Sequence, residues 1–426
     1  MDASRVFYAY GVESTYGTPP SSTTYQKIRY TGGNGWTPSD TLTDSGEVSA
    51  AMVRSRPAIT QRAADGGVDF EFSDSKQYKE WLPMAMTSDG ANPLACWTTA
   101  AAIAASTVNV VNATGVYSFQ VTGTGFAAIN AAKVGQDITT TGFTNTVNNG
   151  IHRIVAVDFA ADPQKITVEG TLVAETGSGD ERIGISSMLR NGTTRHSVSI
   201  IDGRPGVDTY QSFHGQVADG ISFSSQPNAL LTGNVSFIGA GYADSAFDIS
   251  SGSNTLSKDK AAITGATYTE AETTSPMTTA ENISVYENGT LAAGVACTKG
   301  FDITISGRAR AQQCLGHMFN AGVGLNILYP ELNITKYFTA KTLLDQYLGM
   351  GETVGYAESL RVNDPSGNTF VFTFPAVFLS GWTLTAGSLD ADMEAAFGSS
   401  KAFKYTDTAG VTYVMQVDYI AGNVFV

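Results

Sequence analysis

The side chains able to do chemistry are few and scattered. His152, His196, His214 and His317 lie far apart, and none stands in an H-E-x-x-H or similar ligand spacing. Cys96, Cys297 and Cys314 lack C-x-x-C spacing, so they read as buried free thiols and not as a disulfide framework or a zinc site. Asp390, Asp392 and Glu394 alternate along an expected strand. Carboxylates on one side of a strand could hold a cation or form an acidic wall, and a solvated strand face is the plainer reading. There is no G-x-S-x-G elbow and no Walker A loop, and Gly322-Val323-Gly324 leads into a strand-like Leu325–Leu328, not a phosphate-cradling helix. No catalytic group, metal or cofactor is expected. The remaining enzymatic reading, a β-fold hydrolase, would have to use Asp390, Asp392 or Glu394.

The elements that would position such groups are mostly strands. Alternations such as Val68-Asp69-Phe70-Glu71-Phe72 and Phe301-Asp302-Ile303-Thr304-Ile305, separated by turns of Gly, Asn, Asp and Ser, mark a mainly β protein. Helical spacing follows Ser73-Asp74 (Tyr78, Trp81, Leu82, Ala85) and Ser306-Gly307 (Ala311, Cys314, Leu315, Met318), with a weaker stretch over Ala340–Leu348.

The chain also repeats itself. Gly67–Ser73 aligns with Gly300–Ser306 at an offset of 233, and each precedes an expected helix. Phe213–Phe223, with Gly220, aligns with Phe374–Leu384, with Gly381, at an offset of 161. The fall of 72 between the offsets places an insertion in the first half. These alignments divide the chain into an arm (1–34), a discontinuous first module (35–94 and 191–240), a small inserted β-barrel (95–190), a linker (241–280), a second module (281–400) and a terminal hairpin (401–426) turning at Asp407–Gly410.

Formal net charge is −14, with 12 basic against 21 acidic side chains in residues 191–426 alone. Phosphate binding needs Lys and Arg to displace counterions, so tight nucleic-acid binding is disfavoured. A surface past which a polyanion moves without adhering is compatible with that sign. The opening Met1-Asp2-Ala3-Ser4-Arg5 has no signal-peptide character, and the longest apolar run, Ala100–Ala105, is far below bilayer length, so no membrane partner is expected.

The order of segments resembles the tail tube proteins (major tail proteins) of long-tailed bacteriophages. The resemblance covers nearly the whole chain and is carried by Glu13–Pro20, Ile28–Gly32, the polar hairpin from Asp44 to Arg56, the Gly67 strand with the Tyr78–Leu82 helix, and the inserted barrel around Gly135–Val168. Phe213-His214-Gly215 with Gly220, and Glu281–Val285, complete it. It implies a tube-type domain of two β-sheets packed face to face with a flanking helix, whose sheets join those of neighbours around a ring, and the internal repeat makes this two tandem β-sandwich/barrel domains.

Rings then stack into the virion tail, the conduit for DNA ejection. The second copy of the pattern departs from a single-module family and points to trimeric rings with pseudo-sixfold symmetry, the alternative being hexameric rings. Implied partners are further copies of the chain, a tape measure protein and a tail terminator, with double-stranded DNA passing through without specific binding and the protein made in the host cytoplasm. Candidates for lumen-facing carboxylates are Asp202, Asp219, Asp364, Asp390, Asp392 and Glu394, in or beside the repeated strands. Ring stacking is assigned to the arm (Phe7, Tyr8, Tyr10, Tyr16), the loop 40–66 (Glu47, Arg54, Arg56) and the hairpin after Lys401. A β-rich virion adhesin or receptor-binding protein, with the inserted barrel as its binding unit, is the competing reading.

Overall fold

The structure is a computed structural model that describes residues 6–20, 24–46, 56–205, 209–243, 267–278, 283–287, 290–291, 298–315, 320–338, 348, 356–385 and 393–422. The chain opens with β1 (Phe7–Val12), β2 (Thr24–Lys27) and a long hairpin, β3 (Gly32–Thr43) and β4 (Ala58–Glu71), followed by α1 (Lys76–Ala85). Next come β5 (Ala101–Ala102), β6 (Asn109–Ala113), β7 (Val116–Val121), β8 (Asp137–Thr141), β9 (Gly150–Asp158), β10 (Gln164–Val168) and β11 (Arg182–Ile185). The main body resumes with β12 (Ser187–Arg190), β13 (Val198–Arg204), β14 (Thr209–Ser225), β15 (Thr232–Ile238) and β16 (Gly241–Ala243). Then follow β17 (Thr267–Thr269), β18 (Ile283–Glu287), β19 (Thr290–Leu291), β20 (Thr298–Ile305), β21 (Ala309–Gln312), β22 (Gly322–Leu325) and β23 (Pro330–Tyr337). The last are β24 (Tyr356–Asn363), β25 (Thr369–Phe378), β26 (Trp382–Thr385), β27 (Glu394–Ala402), β28 (Tyr405–Thr406), β29 (Thr412–Tyr413) and β30 (Gln416–Ile420).

The protein is mainly β, as its alternating pattern requires, and α1 is the one α-helix assigned among the described residues. Tyr78, Trp81, Leu82 and Ala85 fall on one helical face and are fully buried. Pro83 sits inside α1, where its missing N–H leaves the carbonyl of Lys79 without its helical donor. The indole N–H of Trp97 supplies that bond at 2.7 Å. A second helix does not form over 309–312. Those residues make β21, paired with β22, because the N–H groups of Arg308 and Ala309 are held by the carbonyl and carboxylate of Asp219. Cys314 and Leu315, expected on a buried helical face, are exposed. Met318 lies outside the described residues, as does Ala340–Leu348 except for Leu348, which is helical.

Strand order discloses a relation that sequence alignment placed differently. β3, β4, β15, β14 and β13 pair as antiparallel neighbours in that order. β20, β23, β27, β25 and β24 do the same, with β26 continuing β25 along β27. Taken in chain order, the pairing is first-second-fifth-fourth-third in both arrays. β20 therefore stands where β3 does, and the counterpart of β4 is β23, not the Gly300 strand aligned with it by sequence. Period-2 apolar strands look alike, so spacing alone cannot say which strand matches which. Gly220 and Gly381 do hold equivalent places, each at the head of the segment running along β15 or β27.

Residues 221–225 of β14 also pair with 305–301 of β20, so the two arrays share one ladder. Their apolar faces make one core. Phe72 meets Phe370 at 5.1 Å and Phe223 meets Phe372 at 5.2 Å between ring centroids, which places the β4–β14 and β25 layers face to face. Each fully buried Phe of this kind contributes about 1.5–3 kcal/mol.

The inserted segment folds around its own core of Val110, Phe119, Ile138, Ile154, Ile166 and Ile183. Its seven strands run in the order β5-β11-β8-β9-β10-β7-β6 and do not close into the barrel that was expected. β5 spans two residues and pairs with β11 alone, which leaves the sheet open at that end.

Candidate functional site

Alternation along the strands sends one set of side chains into the core and the other to a single polar face. Val68, Phe70, Ile221, Phe223, Val235, Phe237, Ile303, Ile305, Leu332 and Ile334 are all at 1% exposure or less. Their neighbours form two rows across the shared ladder. One runs Asp69, Asn234, Ser222, Thr304, Glu331, Lys401, and the other Glu71, Thr232, Ser224, Asp302, Asn333. The rows cross from the first array into the second without a break.

Cross-strand hydrogen bonds fix this face. Asn234 Nδ2 donates to Asp69 at 2.6 Å, Ser224 Oγ to Asp302 at 2.8 Å, and the Ser399 N–H to Asn333 Oδ1 at 2.8 Å. Lys401 faces Glu331 at 3.4 Å between exposed side chains, worth little in stability. The two rows therefore hold four carboxylates against one ammonium, on a bed of hydroxyls and amides.

The lumen candidates chosen from sequence lie elsewhere or are already engaged. Asp202 is 1% exposed and ion-paired with Arg204 at 2.6 Å. Asp364 closes its own turn by accepting the N–H groups of Ser366 and Asn368. Asp219 anchors Ala309, and Glu394 pairs with Lys299. Asp390 and Asp392 lie outside the described residues. Asp69, Glu71, Asp302 and Glu331 occupy the polar face instead, and Asp69, Glu71 and Asp302 lie in the alternations that marked strands in the sequence. A polar residue at every off-phase position was the usable clue.

The N-terminal segment is part of the body, not a free arm. β1 pairs with β13 over Phe7–Val12 and with β2 at Ala9 and Tyr10. Tyr10 is 2% exposed and its hydroxyl donates to Glu80. Phe7 packs edge-on to Tyr268, and Tyr8 to Trp36. Tyr16 lies under the Arg195 guanidinium, and burial pushes its hydroxyl up to about 12. Glu13 accepts from the N–H groups of Gly17 and Gly215 and the hydroxyls of Ser197 and Ser199, and burial still lifts its pKa above the usual carboxylate value.

The terminal segment likewise docks, since β30 lies between β12 and β25. The β28–β29 hairpin does turn at Asp407–Gly410, with Asp407 accepting from Ala409 and Val411. Of the expected linker, β17 runs parallel to β2 and Met277 is fully buried.

Beyond the body, the β3–β4 hairpin projects with Leu42 61% exposed and Arg62 3.8 Å from Asp40. Arg56 is exposed near its end, and Glu47 and Arg54 fall outside the described residues.

The groups capable of chemistry do not converge. Cys96 Sγ lies 3.4 Å from His196 Nε2, but that nitrogen is also 2.9 Å from the Ser88 carbonyl, which requires it to donate. Burial lifts the thiol to about 11, so no thiolate forms. Of the three thiols expected to be buried, Cys96 is half-buried, Cys314 is exposed and Cys297 lies outside the described residues. His152 is held neutral by burial, its pKa lowered to about 4. His214 is lowered for the same reason. His317 is outside the described residues, and among the described residues no three His, Cys, Asp or Glu cluster as a metal site.

Two strand arrays of one order, joined into a sheet with a shared core and a polar face that runs across both, define a mainly β protein. The family model for phage tail tube protein matches residues 3–417, and the chain belongs to that family. It is thus a structural component of the phage tail that self-assembles into a tube. No curated protein matches it. No helix among the described residues is long and apolar enough to cross a membrane.

Proposed function

We propose that the chain forms rings in which the two-row polar face lines a central channel, and that stacked rings conduct double-stranded DNA during ejection into the host. The observation that supports this most directly is the continuity of the rows from β4 through β14 and β20 to β27. A face shared by both arrays behaves as one wall, and repetition around a ring extends it. Carboxylates outnumber ammonium groups on it, so a phosphate backbone meets repulsion in place of counterion release. Screening confines that repulsion to about 8 Å at physiological salt, which suffices for a polymer filling a narrow channel.

Two arrays of one strand order count as two tube-type modules, the first interrupted by the inserted sheet. Three chains then supply six equivalent positions, with six chains as the alternative. The inserted unit sits on the outside, because a folded unit of its size would block the channel. The projecting β3–β4 hairpin makes the contact between rings, in place of the arm. The chain is made in the host cytoplasm and meets a tape measure protein and a tail terminator during assembly, in a long-tailed phage. Its role involves no catalytic step. End-on electron microscopy of the purified protein is expected to show rings with an open centre. A species that stays monomeric in every buffer and is absent from virions would overturn the reading.

A further inference from the structure

Lys336 projects from β23 with its side chain 1% exposed, and two carboxyl groups meet its amino group there. Glu287 of β18 is in direct contact with Nζ, and Glu358 of β24, fully buried, has Oε1 3.2 Å from it. The two glutamates face each other across the β18–β24 ladder. β23 pairs with β20 and β27, so the lysine bridges to strands that are not its ladder neighbours among the described residues. The Phe397 ring stands over the amino group, its centroid 6.0 Å from Nζ. Glu358 Oε2 is buried and has no hydrogen-bond partner, so the ion pair does not satisfy the site.

We infer that Lys336 and Glu287 condense to an intramolecular amide, with Glu358 as the acid–base group that carries the protons. The ion-paired cluster is its precursor. Burial raises Glu358 to about 7, so at neutral pH and below the three groups hold two protons, one on the ammonium and one on Glu358. Passing the ammonium proton to Glu287 gives an amine beside two carboxylic acids, with the same proton count and no charge left in the core. The carboxylates hold most of the lysine as ammonium, and the neutral arrangement, which burial favours, is the reactive fraction.

In that arrangement the Nζ lone pair attacks Glu287 Cδ and the C–N bond forms. Glu358 gives its proton to a Glu287 oxygen, the C–O bond breaks and water leaves, and the Glu358 carboxylate takes the proton that the nitrogen sheds. The sum is amine plus carboxylic acid to amide plus water, and Glu358 ends as it began. Holding amine and carboxyl in contact raises their effective concentration to about 10⁵ M or more. The Glu287 side chain is 16% exposed, which gives the released water a way out. The amide ties β23 to β18 inside each chain, whatever the arrangement of copies in a ring, and stabilises by restricting the unfolded chain between the two residues.

Mass spectrometry of the unaltered full-length chain, folded and then denatured, tests this. The expected mass is one water below that of the linear sequence, and proteolysis is expected to yield a branched peptide joining the segments that hold Lys336 and Glu287. Lys336→Arg is expected to keep the full mass, and Glu358→Gln to slow the loss of water after refolding at least about a hundredfold. The decisive readings are on the unaltered chain, so they stand whether or not the variants fold. A full linear mass in the folded protein, or a lost water without a branched peptide joining these two residues, would overturn the inference.

Discussion

Ser224 and Asp302 face each other across the β14–β20 ladder that joins the two strand arrays, the hydroxyl donating to the carboxylate at 2.8 Å. The same carboxylate oxygen also accepts the N–H of Ser225 at 3.3 Å. This pair marks the place where the two strand arrays join, and its environment sets the first prediction.

Gly220 lies beside that junction, and a Cβ placed on it would meet the Ile305 carbonyl oxygen at 2.4 Å. Neither the backbone of β20 nor that of β14 can yield without breaking the ladder. Gly220→Val is expected to cost about 2 kcal/mol or more, read as a lowered urea midpoint, and to reduce ring yield. An unchanged midpoint would mean that the junction is looser than described.

Lys336 reaches from β23 into the core, 1% exposed, between Glu287 and Glu358, which are themselves cross-strand partners. Burial raises Glu358 to about 7 despite the ammonium, and burial works against Lys336 while the two carboxylates lift it overall. Lys336→Met leaves two adjacent carboxylates without a counter-charge. The loss is expected to be about 3 kcal/mol at pH 8 and smaller at pH 5, where Glu358 can hold a proton. Thermal melts at the two pH values separate this from simple loss of packing, which would be equal at both.

Asp418 is fully buried next to Asp137 and Arg153 at the seam between the inserted sheet and β30, and burial with the neighbouring carboxylate raises it from 3.8 to about 7. The folded state therefore holds a proton that the unfolded state has released. That contribution is fully present below about pH 4 and is lost as pH rises through about 7, so stability falls across this window. Asp418→Asn is expected to flatten the decline between about pH 4 and 7 without abolishing it, because Glu358 contributes in the same direction. Denaturant midpoints at half-unit pH steps give the comparison, and an unaltered slope would contradict the assignment.

Glu13 ties four donors from three parts of the chain. Glu13→Ala strands the buried N–H of Gly215 and the part-buried N–H of Gly17 and is expected to cost about 2–4 kcal/mol. For the same reason deletion of residues 1–30 is expected to abolish folding, where a free arm would have been dispensable. Circular dichroism of the truncated chain decides between them.

How far the sequence carried the fold depends on what each signal encodes. Period 2 encodes which face is buried, and Val68, Phe70, Ile303 and Ile305 were legible as core on that basis. It does not encode partners, so the Gly300 strand was matched to the Gly67 strand when its place is that of β3. Helical spacing at Ala311, Cys314, Leu315 and Met318 misled because the Asp219 bonds to Arg308 and Ala309, distant in sequence, commit that segment to a hairpin. Tyr10 and Tyr16 looked like an arm's aromatics because the contacts that bury them, β2, β13 and Glu80 around Tyr10 and Arg195 and Val217 around Tyr16, are distant in sequence. The polar face was within reach: Asp69, Glu71 and Asp302 were in view as strand markers but were not read as one face.

The central claim is that the face carrying Asp69, Glu71, Asp302 and Glu331 surrounds a channel. Cryo-electron microscopy of assembled tubes tests it most directly, at a resolution that traces β4, β14, β20 and β23. The expected density shows three chains per ring, those four carboxylates turned to the lumen and the inserted sheet outside. Rings whose lumen is lined by other strands, with these residues on the outer surface, would contradict it.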